Sequence, residues 1–177
     1  MLFIKEDDAI CLNDGEDVIV FPLMQEELEL MLNDTNYFCN YINLKYDSED
    51  LKDTKVLDYH KTQLQKMKDD RENNIWHAIW VVASVKYRSI VGRINFVSTP
   101  DSIGSVNIDF FTGSSYRRQG IMTSAVELLS AWALDNGANI IVASTQKDNI
   151  PAHRVLENND FEKTIEETSF VYKKERK

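Results

Sequence analysis

At 177 residues and a net charge of −9, with 43% hydrophobic and 28% charged residues, the chain has the size and composition of one globular domain. No apolar run approaches the roughly 18 residues that a membrane-spanning helix needs, and the acidic balance argues against nucleic acid as a general partner. The start, Met1-Leu2-Phe3-Ile4-Lys5-Glu6-Asp7-Asp8, turns acidic too soon for a signal peptide. Cys11 and Cys39 lack metal or redox spacing, and His60, His77 and His153 lie far apart, so a cytoplasmic protein with reduced thiols and no metal is expected. The acidic clusters at 6–8, 14–17 and 47–50 fit a solvated surface, or a field that draws in a cationic acceptor.

In chain order, residues 3–12 and 18–21 have strand character around the turn Asn13-Asp14-Gly15-Glu16, and Pro22 is expected to end the second strand. Residues 23–32 have a helical pattern that Asn33-Asp34-Thr35-Asn36 breaks. The aromatic stretch Tyr37, Phe38, Tyr41 and Tyr46 fits a short helix or a loop. Asp53 or Thr54 caps a helix reaching about Asp70, with Val56, Leu57, Leu64 and Met67 apolar. Residues 75–86, dense in Trp, Ile and Val, predict a central strand; Arg88-Ser89 turn it into a partner over 90–97. After Thr99-Pro100-Asp101-Ser102 comes an alternating strand at 105–112, then a helix from Ile121 to the stop at Asn136-Gly137. Residues 140–144 predict a short, fully buried strand, and 161–165 with 168–172 a terminal hairpin. The order implies a single α/β domain over 1–172, with a central mixed, mainly antiparallel sheet, helices on both faces and a basic tail at 173–177.

Between the strand at 105–112 and the helix after it runs Tyr116-Arg117-Arg118-Gln119-Gly120-Ile121-Met122. A basic, glycine-bearing turn that opens a helix presents free N–H groups and the positive end of a dipole, an anion site. It lacks the lysine and Ser/Thr of a nucleotide P-loop, which argues against ATP or GTP. About thirty residues on stands Asp148-Asn149-Ile150-Pro151-Ala152-His153-Arg154-Val155-Leu156-Glu157-Asn158-Asn159-Asp160-Phe161.

Together the two segments resemble the GNAT acetyltransferases, most closely the branch that includes ribosomal-protein N-terminal acetyltransferases. The family pattern is R-x-x-G-x-G/A in the turn and N-x-x-S/A-x-R-V-L-E-x-x-G-F later. The resemblance covers about residues 90–161 in motifs. It implies the GNAT fold, acetyl-CoA as co-substrate, and an amine acceptor that is a small molecule or a peptide N-terminus, on a monomer or homodimer. It places the pyrophosphate on Arg117, Arg118, Gln119, Gly120, Ile121 and Met122, with Met122 standing where the family has Gly or Ala. The backbone of Phe111 and Thr112 would bond the pantetheine arm. Asn149 would hold the cofactor arm or an ordered water, or cap the following helix.

Positions where many relatives carry a catalytic glutamate hold Asn107 and Ser144, and the position of a proton-donating tyrosine holds Leu156. Asp109, on the same strand face as Asn107, is therefore the candidate base. Tyr172 is a remote candidate acid, Trp76 and His77 would sit on the central strand, and His153 is expected at the surface. The function implied is N-acetyl transfer by direct attack in a ternary complex; a non-catalytic acyl-CoA-binding protein on the same fold is the alternative.

Overall fold

The computed structural model describes residues 10–46, 53–165 and 169–176. Its strands are β1 (Leu12–Asn13), β2 (Val18–Leu23), β3 (Ile79–Ser84), β4 (Ser89–Phe96), β5 (Ser105–Thr112), β6 (Ile140–Gln146), β7 (Glu162–Ile165) and β8 (Ser169–Glu175). Its helices are α1 (Gln25–Asn33), α2 (Thr35–Ile42), α3 (Thr54–Asp69), α4 (Asn74–His77), α5 (Ile121–Asp135) and α6 (Ile150–Glu157). The described strands form one sheet in the order β1-β2-β3-β4-β5-β6-β8-β7. Of the strand pairs, β5 with β6 is parallel, because α5 carries the chain back across the sheet between them; the others are antiparallel.

Strand alternation assigns the two faces. Trp80, Ile94 and Phe110 are cross-strand partners, as are Phe96 and Ile108, and they share one face. Helix α5 covers it. Its Trp132 ring lies 4.8 Å from Trp80 and 5.9 Å from Phe96, and Ala125, Leu129 and Ala133 are buried beside them. Arg93, Asn95, Asp109 and Phe111 are partners on the opposite face, where Tyr59 and His60 of α3 come within electrostatic reach of Arg93. The fold is thus α/β with a mixed sheet between helices, as the sequence implies.

Several elements differ from expectation, each for a physical reason. Strand β2 runs through Pro22 to Leu23. Trp80 N–H donates to Asn95 Oδ1 on the β4 side, so the Pro22–Trp80 pair asks no N–H of the proline, and β1 reaches only Ile19 and Val20. Of short helix and loop, the aromatic stretch takes the helix: Asp34 caps it, its Oδ1 accepting from Tyr37 N–H at 2.9 Å, and Asn43 ends it in the left-handed region. Trp76 and His77 lie on α4, ahead of the central strand. A helical turn lets Trp76 stack 4.6 Å from Phe96 and 5.3 Å from Trp132, which outweighs local β-propensity.

Strand β6 is half-buried: Ile141 and Ala143 point inward while Ser144 is exposed. Lys173 and Lys174 pair with Val142 and Ile141, so the expected tail is sheet as far as Glu175. Most of the strand expected at 3–12 lies outside the described residues.

Candidate active site

The slot between β5 and β6 follows from where their pairing stops. They pair at Ser105–Ile140, Val106–Ile141 and Asn107–Val142, while β6 continues along β8 as far as Gln146. Gly113 N–H donates to Val91 O at 2.9 Å and Val97 N–H to Asn107 O at 2.8 Å. An antiparallel strand turns alternate residues to alternate neighbours, so residues 107, 109, 111 and 113 bond toward β4 and 108, 110 and 112 face β6. Beyond Asn107 the second set has no β6 partner in the ladder. This corrects the expectation for Phe111, whose N–H and C=O belong to the β4 ladder. The backbone groups that face the slot are those of Phe110 and Thr112. The Thr112 carbonyl already accepts from Arg117 Nε at 3.0 Å, which ties the slot to the basic turn.

That turn is a strained piece of chain. A 3₁₀ segment (Ser114–Tyr116) leads to Arg117 in extended conformation, Arg118 at φ +63° and Gly120 at φ +79°. Left-handed backbone on a non-glycine residue costs on the order of 1 kcal/mol and is held here by its surroundings. Tyr87, from the β3–β4 turn, supplies part of that hold. Its hydroxyl donates to Gln119 Oε1 at 2.6 Å and its ring lies 5.2 Å from Tyr116. Gly120 caps α5 without any side-chain hydrogen bond, leaving the helix's first N–H groups to face outward. A Cβ on Gly120 would meet nothing within 4 Å, so the space before the helix end is open and φ alone demands glycine.

Of the expected cofactor positions, Arg117, Arg118, Gln119 and Gly120 are exposed at the turn, but Ile121 and Met122 bury their side chains. Met122 does not crowd the turn. Its Cε lies 3.2 Å from where a Cβ on Gly92 would be, in space that the glycine leaves on β4, so only its backbone can serve the site. No signal within the turn motif points to Gly92 or Tyr87, because both come from the neighbouring hairpin.

On the opposite face of β5, Asn107 and Asp109 are exposed and project the same way. Surrounding protein pushes the Asp109 carboxyl above the ordinary carboxylate value, and the Arg93 guanidinium opposes the rise. Arg93 also stacks 4.9 Å from the Phe111 ring. Above them α3 presents a polar inner face: Tyr59 bonded to Gln63 at 2.9 Å, and His60 fully buried with no partner for either ring nitrogen. Burial, with Arg93 nearby, lowers the His60 pKa to about 4. The apolar stripe of Val56, Leu57, Leu64 and Met67 hides this set, since a hydrophobic pattern does not register His60 and Gln63 at its centre.

Helix α6 begins beyond the slot. Asn149 Oδ1 accepts from Ala152 N–H at 3.3 Å and Pro151 sits in the first turn, so the capping role is present. Ala152 and Leu156 are core positions as expected. His153 is not a surface residue. It is buried, with Nε2 3.2 Å from Lys147 O and Nδ1 3.1 Å from the Tyr172 hydroxyl, a partner that tertiary structure alone brings near. Tyr172 also meets Glu157 Oε1 at 3.2 Å, and burial with that carboxylate pushes its pKa up to about 12. Its hydroxyl is engaged beneath α6 and does not project from it as a free acid. Among the described residues no group of three or more His, Cys, Asp or Glu could hold a metal ion, and no helix is long and apolar enough to cross a membrane.

The sheet is thus split between its parallel strands and faces the start of α5 after a basic glycine turn. Residues 24–162 match the family model of the acetyltransferase (GNAT) domain, and the chain belongs to that family of acyltransferases. An uncharacterized N-acetyltransferase of Bacillus subtilis, YjdG, is 31% identical over 97 residues, which span 52% of this chain and 58% of that protein. Among solved structures, a ribosomal-protein-S5-alanine acetyltransferase from Vibrio fischeri superposes with a TM-score of 0.64 at 16% identity, covering 94% of this chain and 96% of that one. A ribosomal L7/L12 α-N-protein acetyltransferase in complex with coenzyme A gives 0.62 at 13% identity, over 94% and 98%. At such identities these structures show a shared fold.

Proposed function

We propose that the protein is an N-acetyltransferase that moves an acetyl group from acetyl-CoA to a primary amine, of a peptide N-terminus or a small molecule, by direct attack in a ternary complex. The observation that carries this reading is the slot itself: the strand edge of Phe110 and Thr112, beyond the last β6 partner, ends at a helix N-terminus capped by a glycine. An extended arm with a pyrophosphate at one end fits that shape, the arm along the strand edge and the phosphates on the N–H groups after Gly120. Arg117 and Arg118 add positive charge, and Gln119 is held in place by Tyr87.

Acetyl-CoA supplies an activated thioester. The chain must hold it still, admit the amine from the α3 face and take a proton. Asp109 is the candidate for the last task; its position on the strand face beside the slot and a pKa raised in the direction that favours proton acceptance support it. Asn149 uses Oδ1 to cap α6, and its Nδ2 is the part that can reach the cofactor arm or an ordered water. Proximity supplies the remainder of the rate, since no second carboxylate replaces Asn107 or Ser144.

Acetyl-CoA turnover followed by thiol release, over a panel of amines and N-terminal peptides, tests the reading. Release above background with at least one acceptor is expected. No release on any acceptor, with CoA still bound, would favour a non-catalytic acyl-CoA-binding protein.

A further inference from the structure

A second concave feature shares Tyr87 with the basic turn. It is a cavity of ≈ 390 Å³ whose walls include Asn40, Asn43, Lys45, Lys86, Tyr87 and Arg88. Three of these are cations, in a chain whose net charge is −9. Like charges gathered in a concavity repel one another and focus a positive potential where they converge. Among the described residues none of the three has a carboxylate within ion-pair distance. The nearby Asp17 is engaged from beneath, its carboxylate accepting from Lys86 N–H at 2.7 Å and from the Ser84 hydroxyl at 2.9 Å.

The walls are built to stay in place. Lys45 and Arg88 are joined through backbone, Lys45 N–H donating to Arg88 O at 3.0 Å, and Ile90 N–H donates to Lys45 O at 2.8 Å. Arg88 and Asn43 both sit in the left-handed region, at φ +48° and +55°, and an Arg88 guanidinium N–H reaches Asn43 Oδ1 at 3.4 Å. Lys86 is held 5.1 Å over the Tyr87 ring. Tyr87 is a shared wall, lining the cavity while its hydroxyl bonds Gln119 in the turn.

We infer that this cavity is an anion subsite that takes a phosphate monoester, the 3′-phosphate on the ribose of coenzyme A. The inference rests on the cofactor reading above. Tyr87 joins the two features, lining the cavity and bonding Gln119 of the turn, so a ligand whose pyrophosphate would sit on the N–H groups after Gly120 would carry its neighbouring phosphate monoester toward the three cations. Two amides and three cations match a dianionic, acceptor-only group.

Calorimetric titration of the full chain with CoA and with 3′-dephospho-CoA, at low ionic strength, tests it. CoA is expected to bind about tenfold tighter than the dephospho form, a gap that narrows as added salt screens exposed charge. The triple change Lys45→Gln, Lys86→Gln and Arg88→Asn is expected to bring CoA to the affinity of dephospho-CoA while leaving the latter unchanged; asparagine keeps the left-handed backbone at 88 accessible. Lys86→Gln alone should fall between. Equal affinity for the two nucleotides in the wild-type chain overturns the subsite while leaving the cofactor reading intact, as does discrimination that survives the triple change. Failure to bind either nucleotide overturns the cofactor reading, and the subsite with it.

Discussion

The two helices that open beside the slot begin in opposite ways. Helix α6 is closed by its own chain, with Asn149 accepting from Ala152 N–H and a proline in the first turn. Helix α5 has a left-handed glycine at its cap, which brings no side chain of its own to the first N–H groups. A helix end that is satisfied internally is architecture. One left unsatisfied, and held open by the strained Arg118 and the Tyr87 prop, is capacity for a ligand.

The largest expected effect breaks the open end. Gly120→Trp puts a ring into the clear space before α5 and forces a non-glycine residue to φ +79°, so CoA affinity should fall by more than about 100-fold in calorimetry. Unchanged affinity would remove the phosphate assignment from this turn. Next is the chemical side of the slot: Asp109→Asn should cut turnover on the order of 100-fold with CoA affinity retained. Turnover that matches the wild type across pH would eliminate Asp109 as base.

The third effect concerns stability and lies on the α3 face. The His60 pKa is depressed, from an ordinary 6.5 to about 4, so the unfolded chain takes up the proton first. His60 therefore contributes stability that is fully present above about pH 6.5 and lost as pH falls toward about 4, a difference of about 3 kcal/mol. Denaturation midpoints should decline across that window in the wild type, and His60→Leu should flatten the decline; parallel curves would show that His60 is not the group responsible. The smallest effect returns to α6. Asn149→Ala should cost about 1 kcal/mol through the lost cap. Asn149→Asp keeps the cap acceptor and loses Nδ2, so weaker CoA binding by that variant, at wild-type stability, would separate ligand contact from capping.

Legibility in the sequence follows the range of the interactions involved. Strand 105–112 and the helix after it were readable because alternation, a glycine turn and a helix stop are local signals, and the described bounds, Ser105–Thr112 and Ile121–Asp135, follow them. Helix Thr54–Asp69 was readable from its Asp53 cap. Helix α4 was hidden because Ile75 and Trp76 carry strand propensity, and the stacking on Phe96 and Trp132 that decides their conformation is tertiary. His153 was hidden likewise, since Tyr172 of β8, 19 residues away in sequence, meets it beneath α6. At the site, the turn residues could be named in advance. Which backbone groups face the slot could not, because that depends on the register of β5 against β4, which turns Phe110 and not Phe111 toward it.

Gly92 deserves a final reading as a spacer. A side chain there would collide with the Phe111 carbonyl oxygen and meet Met122 Cε at 3.2 Å. The depth at which α5 settles onto the sheet, and so the distance from its open end to the slot edge at Thr112, is gauged by an absent methyl group on the neighbouring strand. Enlarging position 92 would press on the Phe111 carbonyl and on Met122 together, and carry the strand edge and the helix end out of line with each other.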